Sequence, residues 1–357
     1  MTERVFVSAW VGVDNRGDEL LFERLRIRLC DLGASDVTVT SFSPAETARL
    51  HGVRAVHPRH IPAVFAAIRR ADLFVLGPGG LLQDASSPWN LPYQMHRALL
   101  ARMVRTPIVG IGLGAEPLRR RLSGPIVRAA LGRAEFVAVR DEASRTALAT
   151  VGLDPIATAD LAVAAPTPDG TIDDAIVVSL RPRPRSGVLP VAWRRRPLEE
   201  SQIECSAAAL DQVSAMLDLP VRFVAFEPHT DDPLHQAVAA RMRRPATCTA
   251  VQHHELLDEM RRSRLVIATR YHAGITALVA DRPAVLIGYA PKVRSLASAL
   301  EGIYPLLPES DAGLADLPTA VPLALDAAPV ARAGALADLR AAEARHVGLL
   351  GTALRRR

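Results

Sequence analysis

The feature that most constrains this chain is an alternation of short, apolar, β-branched runs with longer amphipathic stretches, several of the runs leading into glycine clusters. Val5–Trp10 reads as a buried strand. Glu19–Leu32 follows as a helix, with Leu21, Leu25, Leu29 and Leu32 at helical spacing and Gly33 as its stop. The pattern continues through strand Val37–Thr40, helix Ile61–Arg70, strand Leu73–Leu76, helix Leu91–Arg105 and strands Pro107–Ile111 and Phe136–Val139. The next helix opens on Asp141 and Glu142, carboxylates at the end the helix dipole favours. Strands that are apolar throughout must be covered on both faces, and strand–helix alternation makes such a sheet parallel.

Ala162–Asp174 (AVAAPTPDGTIDD) interrupts this rhythm with Pro, Ala and Asp, as an interdomain linker does. A second series follows. Strands are read at Ala175–Leu180, Val221–Phe226, Ala246–Val251, Leu265–Thr269 and Ala284–Ile287. Helices are read at Leu198–Leu217, Pro233–Met242, His253–Arg262 and Tyr271–Ala280. At about 100–200 residues per domain, 357 residues suggest two domains. The expected fold is α/β: Rossmann-like parallel-sheet domains at 1–165 and 175–320, a linker at 166–174 and a C-terminal helical tail at 321–357. That is a GT-B-like architecture, with a ligand cleft between the domains. The Pro- and Arg-rich segment Arg181–Pro197 reads as a long functional loop.

Composition narrows the function classes. Hydrophobic residues at 49% and charged residues at 23% exclude disorder. No apolar run approaches the ~20 residues that cross a bilayer. The N-terminus shows no signal-peptide pattern, and three widely spaced cysteines fit neither a disulfide framework nor a zinc site, so a cytoplasmic setting is expected. A net charge of +5, from 43 basic and 38 acidic residues, does not call for nucleic acid. Aromatic residues at 4% are too few for a stacking surface. Arg355, Arg356 and Arg357 at the tail leave room for a peripheral membrane contact. Of the 43 basic residues, 42 are arginine and one is Lys292. A lysine that survives such a preference is a candidate for chemistry that a guanidinium cannot do.

Three glycine-rich turns are read at strand ends in the first half, where open sheets bind ligands. The first holds Gly12, Asn15, Gly17, Asp18 and Glu19; the second Gly77-Pro78-Gly79-Gly80; the third Gly110-Ile111-Gly112-Leu113-Gly114. Asp18 and Glu19 by themselves read as helix-start carboxylates, and each turn by itself as a tight strand–helix connection. In the second half, Arg270-Tyr271-His272 sits between a strand and a helix. Lys292 follows the next strand and Arg181 a neighbouring one. Several fixed cations and one imidazole suit a small, highly charged anion together with proton transfer.

These residues carry a resemblance. Gly12…Asn15-Arg16-Gly17-Asp18-Glu19, Gly77-Pro78-Gly79-Gly80, Gly110–Gly114, Val139-Arg140-Asp141-Glu142, Asp160-Leu161-Ala162, Arg270-Tyr271-His272 and Tyr289-Ala290-Pro291-Lys292-Val293 resemble, in order, the motifs of the polysaccharide pyruvyltransferase family. Asp14, Asp281 and Ala290 depart from its pattern, which suits a divergent member. The resemblance implies transfer of the pyruvyl group of phosphoenolpyruvate to a sugar diol as a cyclic ketal, with release of phosphate. It implies a glycan or glycoside acceptor and a role in cell-envelope glycan synthesis. On this reading His272 is the general acid, and Asp18 orients or deprotonates the acceptor. Arg181, Arg270 and Lys292 bind the donor. Asn15, Gly17, Glu19, Gly79, Gly80 and Gly112 line the acceptor side. Phosphoenolpyruvate is a co-substrate, and no cofactor or metal is expected. The rival readings are a nucleotide-sugar glycosyltransferase of the same architecture and a non-catalytic binding protein on this fold.

The composition generates a prediction. Lys292→Arg keeps the charge but replaces a compact ammonium with a larger planar fork. The expected loss in kcat/KM is at least ~10-fold. Wild-type turnover in this variant would make Lys292 a solubility residue.

Overall fold

The computed structural model describes residues 3–85, 87–170, 175–183, 198–288, 290–300 and 302–356. One sheet contains β1 (Glu3–Val11), β2 (Ala34–Ser41), β3 (Arg54–Val56), β4 (Leu73–Leu76), β5 (Gly79–Leu82), β6 (Ile108–Ala115), β7 (Phe136–Val139) and β8 (Ile156–Ala157). Its order is β3-β2-β1-β4-β6-β7-β8, with β5 also paired to β6. The other contains β9 (Ile176–Ser179), β10 (Val221–Val224), β11 (Ala246–Thr249), β12 (Leu265–Ala268), β13 (Ala284–Gly288) and β14 (Leu306–Pro308), ordered β11-β10-β9-β12-β13-β14. The pairings in both sheets are parallel. In each sheet the strand order reverses once, between β1 and β4 and between β9 and β12. Helices leaving to opposite sides there open a crevice at the strand C-termini, where such sheets take ligands.

The first half contributes α1 (Arg16–Asp31), α2 (Pro44–His51), α3 (Ile61–Arg70), α4 (Asn90–Met103), α5 (Ser123–Leu131) and α6 (Glu142–Ala149). The second contributes α7 (Glu200–Leu217), α8 (Pro228–Arg241), α9 (Leu256–Arg261), α10 (Tyr271–Val279), α11 (Pro291–Ala299), α12 (Asp311–Ala315), α13 (Leu317–Asp326) and α14 (Pro329–Arg355). Alternation in β1 shows why the sheet needs two layers. Val5 and Val7 enter one apolar cluster, and Phe6 enters another on the opposite face. The first of these clusters runs on into the other half. It joins Leu21 and Leu25 of α1 to Phe226, Leu256, Ala273 and Leu278.

The glycine runs differ from the sequence reading. Gly110–Gly114 lies inside β6, not in a turn after it, and Gly79 and Gly80 open β5. The reason is close packing. A Cβ on Gly112 (φ +56°) would lie 2.3 Å from Leu161 Cδ1, and one on Gly110 would lie 2.8 Å from Leu113 Cδ1. The pairing of β6 with β7 shifts register between Gly110 and Leu113, which absorbs the irregularity. The segment read as a linker, Ala162–Asp174, begins inside a largely buried 3-10 turn, Leu161–Ala164, and its residues 171–174 lie outside the described residues.

The C-terminal helix returns to the first half. Glu343, 1% exposed, pairs with Arg28 of α1 at 2.8 Å. Arg340 donates to the carbonyls of Val163 and Ala165, and buried His346 meets Thr158 Oγ1 at 2.8 Å. Glu343→Ala removes the buried partner of a guanidinium that stays partly hydrated, so we expect a destabilisation of about 2 kcal/mol. Urea denaturation measures it, and an unchanged midpoint would show that the Arg28–Glu343 pair adds nothing to the other contacts of α14.

Candidate active site

The β1–α1 loop is shaped from within. Gly12 takes φ +75°, and a Cβ there would lie 2.2 Å from Ser41 Oγ. Its N–H donates to Glu19 Oε1 at 2.7 Å, while Glu19 Oε2 meets His51 Nε2 at 2.8 Å. Glu19, expected on the acceptor side, therefore has both oxygens engaged inside the protein. Asn15 caps α1 by accepting from Asp18 N–H at 3.3 Å. The same loop is tied to the second half. Asn15 Nδ2 donates to Glu227 Oε1 at 3.0 Å, Arg16 N–H to Phe226 O at 2.9 Å, and the Arg16 guanidinium to Ala225 O at 2.6 Å.

The β12–α10 turn meets it from the other side. Arg270, the N-cap of α10, is buried against two carboxylates, Asp231 and Glu227, the latter at 2.8 Å. The sequence reading gave Arg270 to the donor. The structure engages its guanidinium with α8 and the residue before it, so it positions the cleft wall. His272 crosses to the first half and packs on Gly17, where a Cβ would lie 2.1 Å from Nδ1. Its Nε2 is buried and 3.9 Å from Asp160 Oδ2, and among the described residues neither atom has a hydrogen-bond partner. Asp160 lies 3.7 Å from Arg140, whose guanidinium sits 4.1 Å from the centre of the Tyr271 ring. Gly114 leaves the space for that guanidinium, since a Cβ there would lie 2.7 Å from Arg140 Cζ.

Gly79 (φ +111°) brings its backbone beside Asp18, with a Cβ position 3.1 Å from Oδ1, and Gly80 is exposed with open space before it. Gly112 instead packs on Leu161, away from open space. Arg181 donates its backbone N–H to Thr269 Oγ1 at 2.9 Å, and its charge acts on Glu227 and Glu309. Beside it, Gly288, Arg294, Leu306, Leu307, Pro308 and Glu309 line a pocket at the ends of β13 and β14. Tyr289 and loop residues 184–197 lie outside the described residues.

The electrostatics centre on Lys292, at the start of α11. Its positive charge acts on Asp18, Asp160, Glu227 and His272 alike. Burial, reinforced by Glu227, pushes Asp18 up to about 7 even against the pull of Lys292 and Arg140. Burial raises Asp160 too. His272 moves the other way. Burial and then the charges of Arg140, Lys292 and Arg270 hold it well below the ordinary imidazole range. The cleft thus holds a carboxyl that carries a proton near neutrality and an imidazole that does not. Near neutral pH Asp18 can therefore exchange a proton while His272 stays neutral. Anion binding beside His272 would reverse the second preference.

Four contributors were not singled out as site residues from sequence. Glu227 and Asp231 lie around a strand end whose sequence, Phe226-Glu227-Pro228, reads only as a helix start. Arg140 and Asp160 were visible as motif positions, but only the fold shows that they surround His272. Among the described residues no group of three or more His, Cys, Asp or Glu is placed to hold a metal ion.

The polysaccharide pyruvyl transferase family model matches residues 15–291. The chain belongs to the polysaccharide pyruvyl transferase family. No curated protein sequence matches significantly. Among solved structures, a glycosyltransferase from Rickettsia africae is similar with TM-score 0.61 and 10% identity, covering 99% of each chain. UDP-GlcNAc 2-epimerase from Neisseria meningitidis bound to UDP-GlcNAc gives 0.60 and 9%, covering 99% of this chain and 100% of that one. Anabaena HepE in complex with UDP-glucose gives 0.57 and 14%, covering 98% and 99%. At these identities the likeness concerns the fold, which is GT-B-like. In this pyruvyl transferase family member the matched span takes in Asn15, the Arg270–His272 turn and Pro291, and Lys292 follows immediately.

The raised Asp18 carries a stability signature. In the unfolded chain it ionises near its ordinary 3.8, and in the fold only near 7. Folding is therefore penalised progressively as pH rises between these values, and fully above the upper one. Asp18→Asn removes the penalty. We expect it to raise Tm clearly at pH 8 and by less than half as much at pH 5. An equal shift at both pH values would show that Asp18 is solvated.

Proposed function

We propose that this pyruvyl transferase family member moves the pyruvyl group of phosphoenolpyruvate onto a sugar diol as a cyclic ketal, releasing phosphate. The observation that carries the reading is the position of Lys292. The one lysine among 42 arginines acts on Asp18, Asp160, Glu227 and His272 at the junction of the halves. A donor bearing phosphate and carboxylate would be held by Lys292 and Arg181. Arg270, engaged by Asp231 and Glu227, would hold the cleft wall.

The chemistry needs a proton delivered to C3 of the enol. The electron pair of the C2–C3 double bond forms the new C–H bond and leaves an oxocarbenium-like C2. One acceptor hydroxyl attacks C2 and loses its proton, phosphate departs with the C–O bonding pair, and the second hydroxyl closes the ring on C2 and gives its proton to the released phosphate. His272 is assigned the first proton. It is neutral in the free protein, and the donor's negative charge beside it raises its affinity for a proton. Asp18, on the opposite wall, is assigned the acceptor hydroxyl, which it can deprotonate only once ionised. No metal enters this scheme.

A nucleotide-sugar reading draws on the UDP-sugar complexes among the structural neighbours and on the pocket at Glu309. The two are separated by thermal shift in EDTA, because a ligand of the native state raises apparent stability. Phosphoenolpyruvate is expected to stabilise the protein, and UDP and GDP are not. Greater stabilisation by a nucleotide would favour glycosyl transfer.

His272→Gln is expected to keep phosphoenolpyruvate binding by calorimetry and to lose turnover by ~10²–10⁴-fold, the range for general acid catalysis. The pH profile of kcat/KM should rise through about 7 as Asp18 ionises, and Asp18→Asn should remove that limb. A profile that falls through this pH would exchange the roles of the two residues. Loss of donor binding in His272→Gln would make His272 a binding group.

A further inference from the structure

The surface of the first half carries a feature that none of this chemistry uses. Helix α4 is apolar on two faces. Leu91, Met95, Ala98 and Ala101 point into the core. On the opposite side Trp89, its N-cap, is 67% exposed, Leu99 38% and Met103 66%. Residues 89, 92, 96, 99 and 103 fall on one stripe at helical spacing. Beside it, α5 packs along α4, and its N-cap Leu122 is 69% exposed. Two consecutive parallel-sheet crossovers run in the same direction, so Trp89 and Leu122 stand at neighbouring helix starts. Ten large apolar side chains are exposed among the described residues, and four of them are here.

The rim of this patch is positive and fixed. From Trp89 to Leu131 the chain holds seven arginines and one acid, Glu116, a local excess larger than the net +5 of the whole chain. Arg105, Arg119, Arg120, Arg121 and Arg128 are exposed, and Arg97 alone of the seven is fully buried. A buried carboxylate holds the loop that carries three of them. Asp84 accepts from the backbone N–H of Arg119 and Arg120, at 3.0 and 2.8 Å, and from Ser123 Oγ at 2.7 Å. Leu122 and its arginines are therefore held outward by a rigid loop.

We infer that the outer face of α4 and the α5 start dock on an anionic lipid surface, with Trp89, Leu99, Met103 and Leu122 entering the headgroup region and the arginines meeting lipid phosphates. Exposed Trp and Leu bordered by guanidinium groups match the requirements of interfacial binding. A second copy of the chain is disfavoured as the occupant, because it would set two strongly positive faces against each other. The stripe begins next to β5, whose glycines form one wall of the cleft. On the reading above, a lipid surface there would present its headgroups to the acceptor side.

Co-sedimentation of the full chain with vesicles tests this without donor or acceptor, so its outcome is separate from that of the phosphoenolpyruvate test. We expect no binding to phosphatidylcholine alone and clear binding when roughly half is replaced by phosphatidylglycerol. Raising salt from about 0.05 to about 0.5 M should weaken it. Trp89→Ser/Leu122→Ser, and independently Met103→Ser, alter exposed positions and should leave the fold intact. The double variant and Arg119→Glu/Arg121→Glu should each lose at least about tenfold in vesicle affinity. Failure of the wild type to bind anionic vesicles at low salt overturns the inference. So does undiminished binding by Trp89→Ser/Leu122→Ser, which would leave only diffuse attraction to arginine. A dimer in sedimentation velocity that Trp89→Ser dissolves would assign the face to a second copy and overturn it equally.

Discussion

The Arg270 guanidinium, buried between Asp231 and Glu227, is the interaction on which the junction of the two halves depends. A buried cation is tolerated only with its charge matched, and two carboxylates do that here. The match has a structural consequence. Glu227, held by Arg270, also accepts from Asn15, and Asn15 caps the first helix of the other half. The loop that starts α1 and the turn that starts α10 are thus fixed to one another through a single carboxylate. Without Arg270, buried Asp231 and half-buried Glu227 would lose the guanidinium that lies between them, and the tie between the two turns would weaken.

Once these two turns are fixed, steric constraints set the chemistry. Gly17 is the only residue type that lets the His272 ring lie against α1, and Gly114 is what lets Arg140 lie over Tyr271. Burial in that space pulls the two titrating groups apart, Asp18 upward and His272 downward. Displaced protonation preferences in one cleft are what acid–base chemistry at neutral pH requires. Here they arise from packing and from the cations that the packing encloses.

The alternation of strands and helices was legible where strands such as β1 and β4 are apolar on both faces and where helices such as α1 carry a leucine stripe. The glycine runs were legible as special but misassigned. Glycine weakens a strand in isolation, so Gly110–Gly114 reads as a turn, and only its neighbours Leu161 and Val137 show that the pairing itself requires residues without side chains. Helix α5 opens on Ser-Gly-Pro and was passed over, because its start is fixed by Asp84 from a distant loop. The residues around Arg270 escaped for a similar reason. Glu227 and Asp231 have no local signature, and their role exists only where β10 ends beside β12 across the intervening β9. By contrast, His272 and Lys292 were legible from chemistry and composition, and the fold brings both to one rim.

Lys292 ties these strands together. Arg270 is neutralised by Asp231 and Glu227, and Arg140 lies against Asp141 and Asp160. The Lys292 ammonium acts on three carboxylates and the imidazole. An anion bound at Lys292 would compensate that positive charge for all four groups together. The proton affinity of all four groups would rise, so that His272 would gain a proton more readily and Asp18 would ionise at a higher pH than in the free protein. Anion binding and proton uptake would become a single electrostatic event. The group next to the anion would be armed as an acid only when there is a substrate to protonate. An arginine at the same position would carry the same charge in a broader, flatter group. Its field would fall differently on the four partners, which is a physical reason for one lysine to persist in a chain that otherwise uses arginine throughout.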